Sequence, residues 1–186
     1  MPRPSLVIVI VEDDHHEMLV RRYLRKRGME LHQVRFERSP SGQGSAEGWV
    51  RTKYAKEVTA YRNRQARAAT ALIVMIDADT HTVQGRLAQL SQALAEHGIQ
   101  PIDNNENNEH VVQLVPKRNV ETWILCLTQQ VVDEEEDYKQ RSHEWKKLIP
   151  RASEALCQWT QSNAVLPNHC IDSLRHGVNE LKRLQF

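Results

Sequence analysis

Three carboxylates stand where side chains can do chemistry. Glu12 follows the apolar run Leu6–Val11, and Asp77 and Asp79 follow Ala71–Ile76. Both runs, LVIVIV and ALIVMI, are rich in β-branched residues and do not alternate with polar ones. That is the pattern of strands buried on both faces of a parallel sheet. Acids just beyond the carboxyl ends of two such strands emerge at the crevice where open α/β sheets place ligands. Asp77 and Asp79 are two positions apart, so in extended chain they point to the same side. Three carboxylates held together repel strongly unless a cation lies among them. The expected cofactor is therefore Mg²⁺ or Mn²⁺, hard ions that take oxygen ligands. Asp13 or Asp14 suits the simpler task of capping a helix.

The elements that must position these acids alternate in type. After the first strand, residues 14–27 place Met18, Leu19, Tyr23 and Leu24 on one helical face, and Gly28 stands at the C-cap position. Residues 29–37 read as a second strand, with Leu31, Val34 and Phe36 as its apolar members. A loop over 39–48 precedes a helix from about 46 to 67 and the strand at 71–76. A helix over 83–97 stops at Gly98, residues 103–109 form a polar loop, and a fourth strand covers 110–115. A short helix follows at 120–128, with Trp123 as a core anchor. This order predicts an α/β fold, an open parallel four-stranded sheet flanked by helices. From residue 133 the signals are helical only, divided by Pro150 and Pro167. The expected organisation is an α/β domain over 1–130, with a helical extension over 131–186 packed on it.

Glu12 after strand one, Asp77-Ala78-Asp79 after strand three and Glu121 after strand four resemble the acidic layout of the Toprim domain of primases, topoisomerases and overcoming-lysogenization-defect nucleases. The similarity covers about residues 5–128. It extends to small stand-alone Toprim-like proteins of bacterial defence loci, which carry an acid in a segment like PKRNVETWILCL. The resemblance implies that Glu12 acts as general base or acid or joins the metal shell, that Asp77 and Asp79 bind Mg²⁺, and that Glu121 is a further metal-site carboxylate. It implies a nuclease, an antiviral effector working beside a separately encoded ATPase. Two positions depart from the family: Asp13 replaces the usual Gly, and His16 stands where a second acid is common, with Glu17 one place on. Glu121 also suits the first turn of a helix on dipole grounds alone. Adjacent helical residues diverge by about 100°, so at most one of His15 and His16 should face the site, and a solvated surface is expected for both.

A phosphate-bearing partner fits the segment at 49–67, where Arg51, Lys53, Lys56, Arg62, Arg64 and Arg67 oppose the single acid Glu57, with Trp49, Tyr54 and Tyr61 interleaved. Nucleic acid, with DNA favoured over RNA, is the expected substrate, and Arg51, Lys53, Lys56, Arg62 and Arg64 are its expected contacts. The net charge of the 186 residues is only +1, so any such footprint is local. Cys126, Cys157 and Cys170 lack metal spacing and read as reduced thiols in a cytoplasmic protein. No membrane span or signal peptide is expected. Self-association stays open. A competing reading is a receiver-like signalling module, with VIVIVEDD as its first strand and acidic pair, Asp77 as phosphoacceptor and Lys117 as its lysine. A third is a non-catalytic nucleic-acid-binding or scaffold subunit.

Overall fold

The computed structural model describes residues 3–40, 45–65, 67–102, 109–141 and 144–184. Strands β1 (Leu6–Val11), β2 (Val34–Arg38), β3 (Thr70–Met75) and β4 (Val111–Leu114) form one parallel sheet in the order β2-β1-β3-β4. Helices α1 (Asp14–Lys26), α2 (Ala46–Arg64), α3 (Val83–Glu96), α4 (Val120–Leu127), α5 (Trp145–Trp159) and α6 (Asp172–Lys182) flank it. The open parallel four-stranded α/β sheet anticipated from the two apolar runs is thus the one the chain forms. Its central strands are buried on both faces because successive side chains alternate between two cores. Val7, Val9, Val11, Ala71, Ile73 and Met75 pack toward α1, α4, α5 and α6. Ile8, Ile10, Leu72, Val74 and Ile76 pack toward α2 and α3.

Glycines end α1 and α3 as their positions suggested. Gly28 and Gly98 have φ of 81° and 67°, the left-handed conformation that glycine adopts at least cost. The following amides, of Met29 and Ile99, return to the carbonyls of Leu24 and Leu94. Two expectations need correction. The strand read over 29–37 is confined to Val34–Arg38, because Leu31–Gln33 form a 3-10 turn in which Leu31 is 61% exposed. At this sheet edge pairing begins at Val7 opposite Val34, and β1 reaches back only one residue further, to Leu6, so Leu31 has no strand residue opposite it. Nor does Pro150 divide helices. It lies inside α5, where Trp145, Ile149, Ala152, Ser153 and Leu156 bury one continuous stripe and hold the helix across the lost hydrogen bond. The loop expected over 39–48 falls partly, and that at 103–109 almost wholly, outside the described residues.

The carboxy-terminal helices belong to the same apolar cluster as α1 and α4. Helix α6 also guards the sheet edge at β4. Arg183 donates to the carbonyls of Glu109 and Val111 (2.7 and 3.2 Å), and the Gln113 amide donates to Glu180 (3.4 Å). Glu134 caps α6 by accepting from the amides of Asp172 and Ser173. Trp123 is fully buried, with its indole N–H on the Ser173 hydroxyl at 2.7 Å. The three cysteines are free thiols. Among the described residues, no helix is long and apolar enough to cross a membrane.

The seat of Trp123 is set by a glycine. A Cβ added to Gly177 of α6 would come within 2.3 Å of the Trp123 ring. By helix propensity alone, Gly177→Ala should stabilise by about 1 kcal/mol. Overpacking against an immobile ring should outweigh this, leaving a net loss of ~1–3 kcal/mol. Urea unfolding of the variant reads the sign directly, and a gain in stability would mean that α6 is free to move away from Trp123.

Candidate metal centre

The carboxyl ends of β1, β3 and β4 bring acidic side chains to one end of the sheet. Glu12 leaves β1, and Asp13 then caps α1, its carboxylate accepting from the amides of His15 (2.9 Å) and His16 (3.0 Å). That cap places both histidines in the first turn of a helix that starts directly over the sheet edge. After β3, Asp77 is 1% exposed, and its amide donates to the Glu12 carboxylate at 3.1 Å. Glu12 and Asp77 are therefore brought together. After β4, Asn119 caps α4 and sets Glu121 in its first turn, 2% exposed. Glu121 is thus both in the helical first turn and at the cluster.

Both histidines face the cluster, contrary to the solvated fate expected for them. His16 is fully buried, with Nε2 on Asp77 Oδ1 at 2.9 Å. His15 sets Nδ1 on Glu121 Oε1 at 2.6 Å. Their divergence along the helix holds, but two carboxylates at the ends of two different strands give each ring its own partner. The spacing from the strand end carried this signal, since positions two and three of a helix starting there overhang the crevice. Lys139, in the 3-10 turn Lys139–Arg141, brings its ammonium to 3.5 Å from Asp77 Oδ2. Nothing near it in the sequence announces that approach. Glu17 points elsewhere, to Arg21 at 2.6 Å.

Burial pushes the carboxyl groups of Glu12 and Asp77 up, with His16 pulling both the other way. Burial also disfavours the His16 imidazolium, but Asp77, Asp13 and Glu12 together outweigh it and raise its pKa to about 10. For the buried pair the upward shift of His16 governs, because one imidazole faces three carboxylates. His15 is raised chiefly by its hydrogen bond to Glu121. Lys139 is pushed down by burial and up, more strongly, by Asp77, Asp79, Glu121 and Glu12. That field places Asp79 within electrostatic reach of the same ammonium. Asp79 itself is held at φ 58°, a left-handed conformation that a short polar side chain tolerates.

Among the described residues, no three acidic, histidine or cysteine side chains already converge as a ready metal-binding group. The groups are instead engaged pairwise: His16 holds Asp77 Oδ1, His15 holds Glu121 Oε1, and Lys139 stands beside Asp77 Oδ2. Yet Asp77 Oδ2 and Glu121 Oε2 are buried without a hydrogen-bond partner. Hard anionic oxygens left without hydrogen bonds in a buried setting fit the chemistry of a divalent-cation site. The donor set suits Mg²⁺ or Mn²⁺ in kind.

The basic segment of α2 is less open than its sequence suggested. Arg51 pairs with Glu47 (3.2 Å), Lys53 with Glu37 (3.3 Å) and Glu57 (3.4 Å), and Arg64 with Glu57 (3.5 Å). Partly exposed pairs of this kind are worth about 0–1 kcal/mol, so phosphates can displace them. Arg62 is different. It donates to both oxygens of Glu109 (2.7 and 3.0 Å) and to the carbonyls of Gln100 (2.8 Å) and Pro101 (3.0 Å), which ties α2 to the approach to β4. Lys56 is exposed.

No family model and no curated protein matches this sequence. Among solved structures, the chain has a distant likeness to the C-terminal region of the Burkholderia pseudomallei OLD protein. The two are 13% identical, with a TM-score of 0.40, over 96% of this chain and 97% of that one.

His16 makes the stability of the metal-free protein depend on pH. Its pKa is 6.5 unfolded and about 10 folded, so its contribution is complete below about pH 6.5 and is lost as pH rises toward 10. In chelator, the stability of the wild type relative to His16→Gln should fall steadily across that window. A flat difference in denaturation midpoints from pH 6.5 to 10 would remove the imidazolium from the cluster.

Proposed function

We propose that this chain is a divalent-cation-dependent phosphodiesterase acting on nucleic acid, a Toprim-like nuclease, with DNA favoured over RNA. The observation that carries this reading is the pair of buried carboxylates, Asp77 and Glu121, each with one oxygen lacking a hydrogen-bond partner at the carboxyl edge of a parallel sheet. Burial of a charge costs several kcal/mol when uncompensated, and a bound cation would offset that cost. Glu12, Asp77, Asp79 and Glu121 are the residues that would hold Mg²⁺ or Mn²⁺. When bound, such an ion neutralises phosphate charge and acidifies a coordinated water.

The chain's own side chains supply the rest. Lys139, 44% exposed beside Asp77, can meet a phosphate oxygen as a point charge. His15 is 24% exposed and braced by Glu121, an arrangement suited to exchanging a proton with solvent or a leaving oxygen. His16, fully buried on Asp77, orients that carboxylate. Lys56, with Arg51, Lys53 and Arg64 released from their acids, forms the proposed phosphate contacts. The receiver-like reading needs Lys117 at Asp77, but the Lys117 ammonium lies on Glu135 at 2.7 Å.

Plasmid, linear duplex, single-stranded DNA and transfer RNA should be incubated with the protein in Mg²⁺, Mn²⁺ or chelator. Cleavage is expected with metal and not with chelator, and Asp77→Asn or Asp79→Asn should lower it by ~100-fold or more, the scale of lost transition-state electrostatics. If no substrate is cut with either metal, while Asp77 accepts phosphate from acetyl phosphate, the receiver-like reading takes its place.

Binding to duplex DNA gives an independent measure. Joint replacement of Arg51, Lys53, Lys56 and Arg64 by Ala should weaken affinity and flatten the salt dependence by about 0.9 in slope per lost contact. Arg62→Ala should instead lower the unfolding midpoint with little change in slope. The reverse pattern would place the footprint on another surface.

A further inference from the structure

The buried guanidinium of Arg86 has no part in the ligand set, yet it is tied to the backbone of the turn that carries Asp77 and Asp79. Arg86 lies in the first turn of α3 and is 1% exposed. Its Nε donates to the Asp77 carbonyl at 2.9 Å, and Nη2 to the Ala78 carbonyl at 3.4 Å. Its Nη1 donates to Gln89 Oε1 at 2.6 Å and pairs with Glu47 of α2 at 2.5 Å. A fully buried arginine is costly unless its donors are met. Here the planar fork spans two successive carbonyls, which the single ammonium of a lysine cannot reproduce.

The turn is gripped from its other sides as well. The Ala78 amide donates to the Pro116 carbonyl (2.8 Å), the His81 amide to the Ala78 carbonyl (2.9 Å), and the Asp77 amide to Glu12. Asp79 follows at φ 58°. An unfavourable backbone conformation of this kind persists where the surroundings over-determine it.

We propose that Arg86 is a positioning residue: by clamping the carbonyls of Asp77 and Ala78, it holds the Asp77–Asp79 turn in the conformation that binds the divalent cation, with Glu47 as its anchor. The cation part of this inference rests on the metal-dependent reading above. Residues that orient metal ligands typically cost ~10–100-fold in metal affinity when removed.

The test compares wild type, Arg86→Met, Arg86→Lys and Glu47→Gln by Mn²⁺ titration, by hydrogen exchange of residues 76–82, and by thermal unfolding. Arg86→Met should raise the Mn²⁺ Kd by ~10-fold or more and speed exchange in the turn while leaving β1 protected. Arg86→Lys should recover only part of this, and Glu47→Gln should show the same changes in smaller measure. If Arg86→Met does not fold, Arg86→Lys and Glu47→Gln carry the same comparison. A lower melting temperature with unchanged Kd and unchanged turn exchange would make Arg86 an ordinary buried arginine and overturn the proposal. Absence of Mn²⁺ binding by the wild type would defeat the metal reading and the cation half of the inference, while exchange in the turn still judges the clamp.

Discussion

Negative charge buried at one end of the sheet is the constraint around which this molecule is arranged. Asp77 leaves the central strand β3 with essentially no exposure, and Glu121 does the same from α4. A carboxylate taken out of water must be neutralised, paired or ligated. The fold meets that demand with groups drawn from distant parts of the chain: His16 from α1 and Lys139 from beyond α4 at Asp77, and His15 from α1 at Glu121. These partners leave one oxygen on each of the two buried carboxylates without a hydrogen bond, and the chemistry of the site grows from that surplus of acceptor capacity.

Precision at this end depends on the rigidity of what lies beneath it. Two apolar layers, one on each face of the sheet, lock β1 and β3 in register from Leu6 opposite Thr70 to Val11 opposite Met75. That register carries Glu12 level with Ile76, so that its carboxylate reaches the Asp77 amide. The N-caps Asp13 and Asn119 then start α1 and α4 at once, so no long loop intervenes between strand end and acidic or basic side chain. Arg86 and Glu47 extend the same rigidity to α2 and α3, joining the layer on the opposite face to the turn after β3.

The segment after α4 does more than cover the sheet. Its acidic run carries specific contacts. Glu134 caps α6, Glu135 holds Lys117 and Asp137 accepts from Asn119. These bonds fix the path that delivers Lys139 to Asp77. The charge cluster and the carboxy-terminal helices are thus mechanically linked, and Trp123 of α4, seated on Gly177 of α6, is the apolar half of that link.

The sheet and the acids at its strand ends were legible in the chain, because period, β-branched content and position relative to strand ends are local properties. LVIVIV and ALIVMI could hardly be anything but central strands, and Glu12 and Asp77 had to emerge at their carboxyl ends. Where local pattern and tertiary context part, the sequence misled. Leu31 fits the alternation of a strand but lies outside the reach of its partner, and Pro150 punctuates a helix that packing carries through. Folding alone turns His15 and His16 inward, brings Lys139 to Asp77, sets Arg86 on the turn after β3, and carries Glu37 and Glu109 to the basic side chains of α2. Most of these contacts join polar groups far apart in sequence. No local periodicity encodes such pairings, because their energy depends on burial and distance that exist only once the chain has folded.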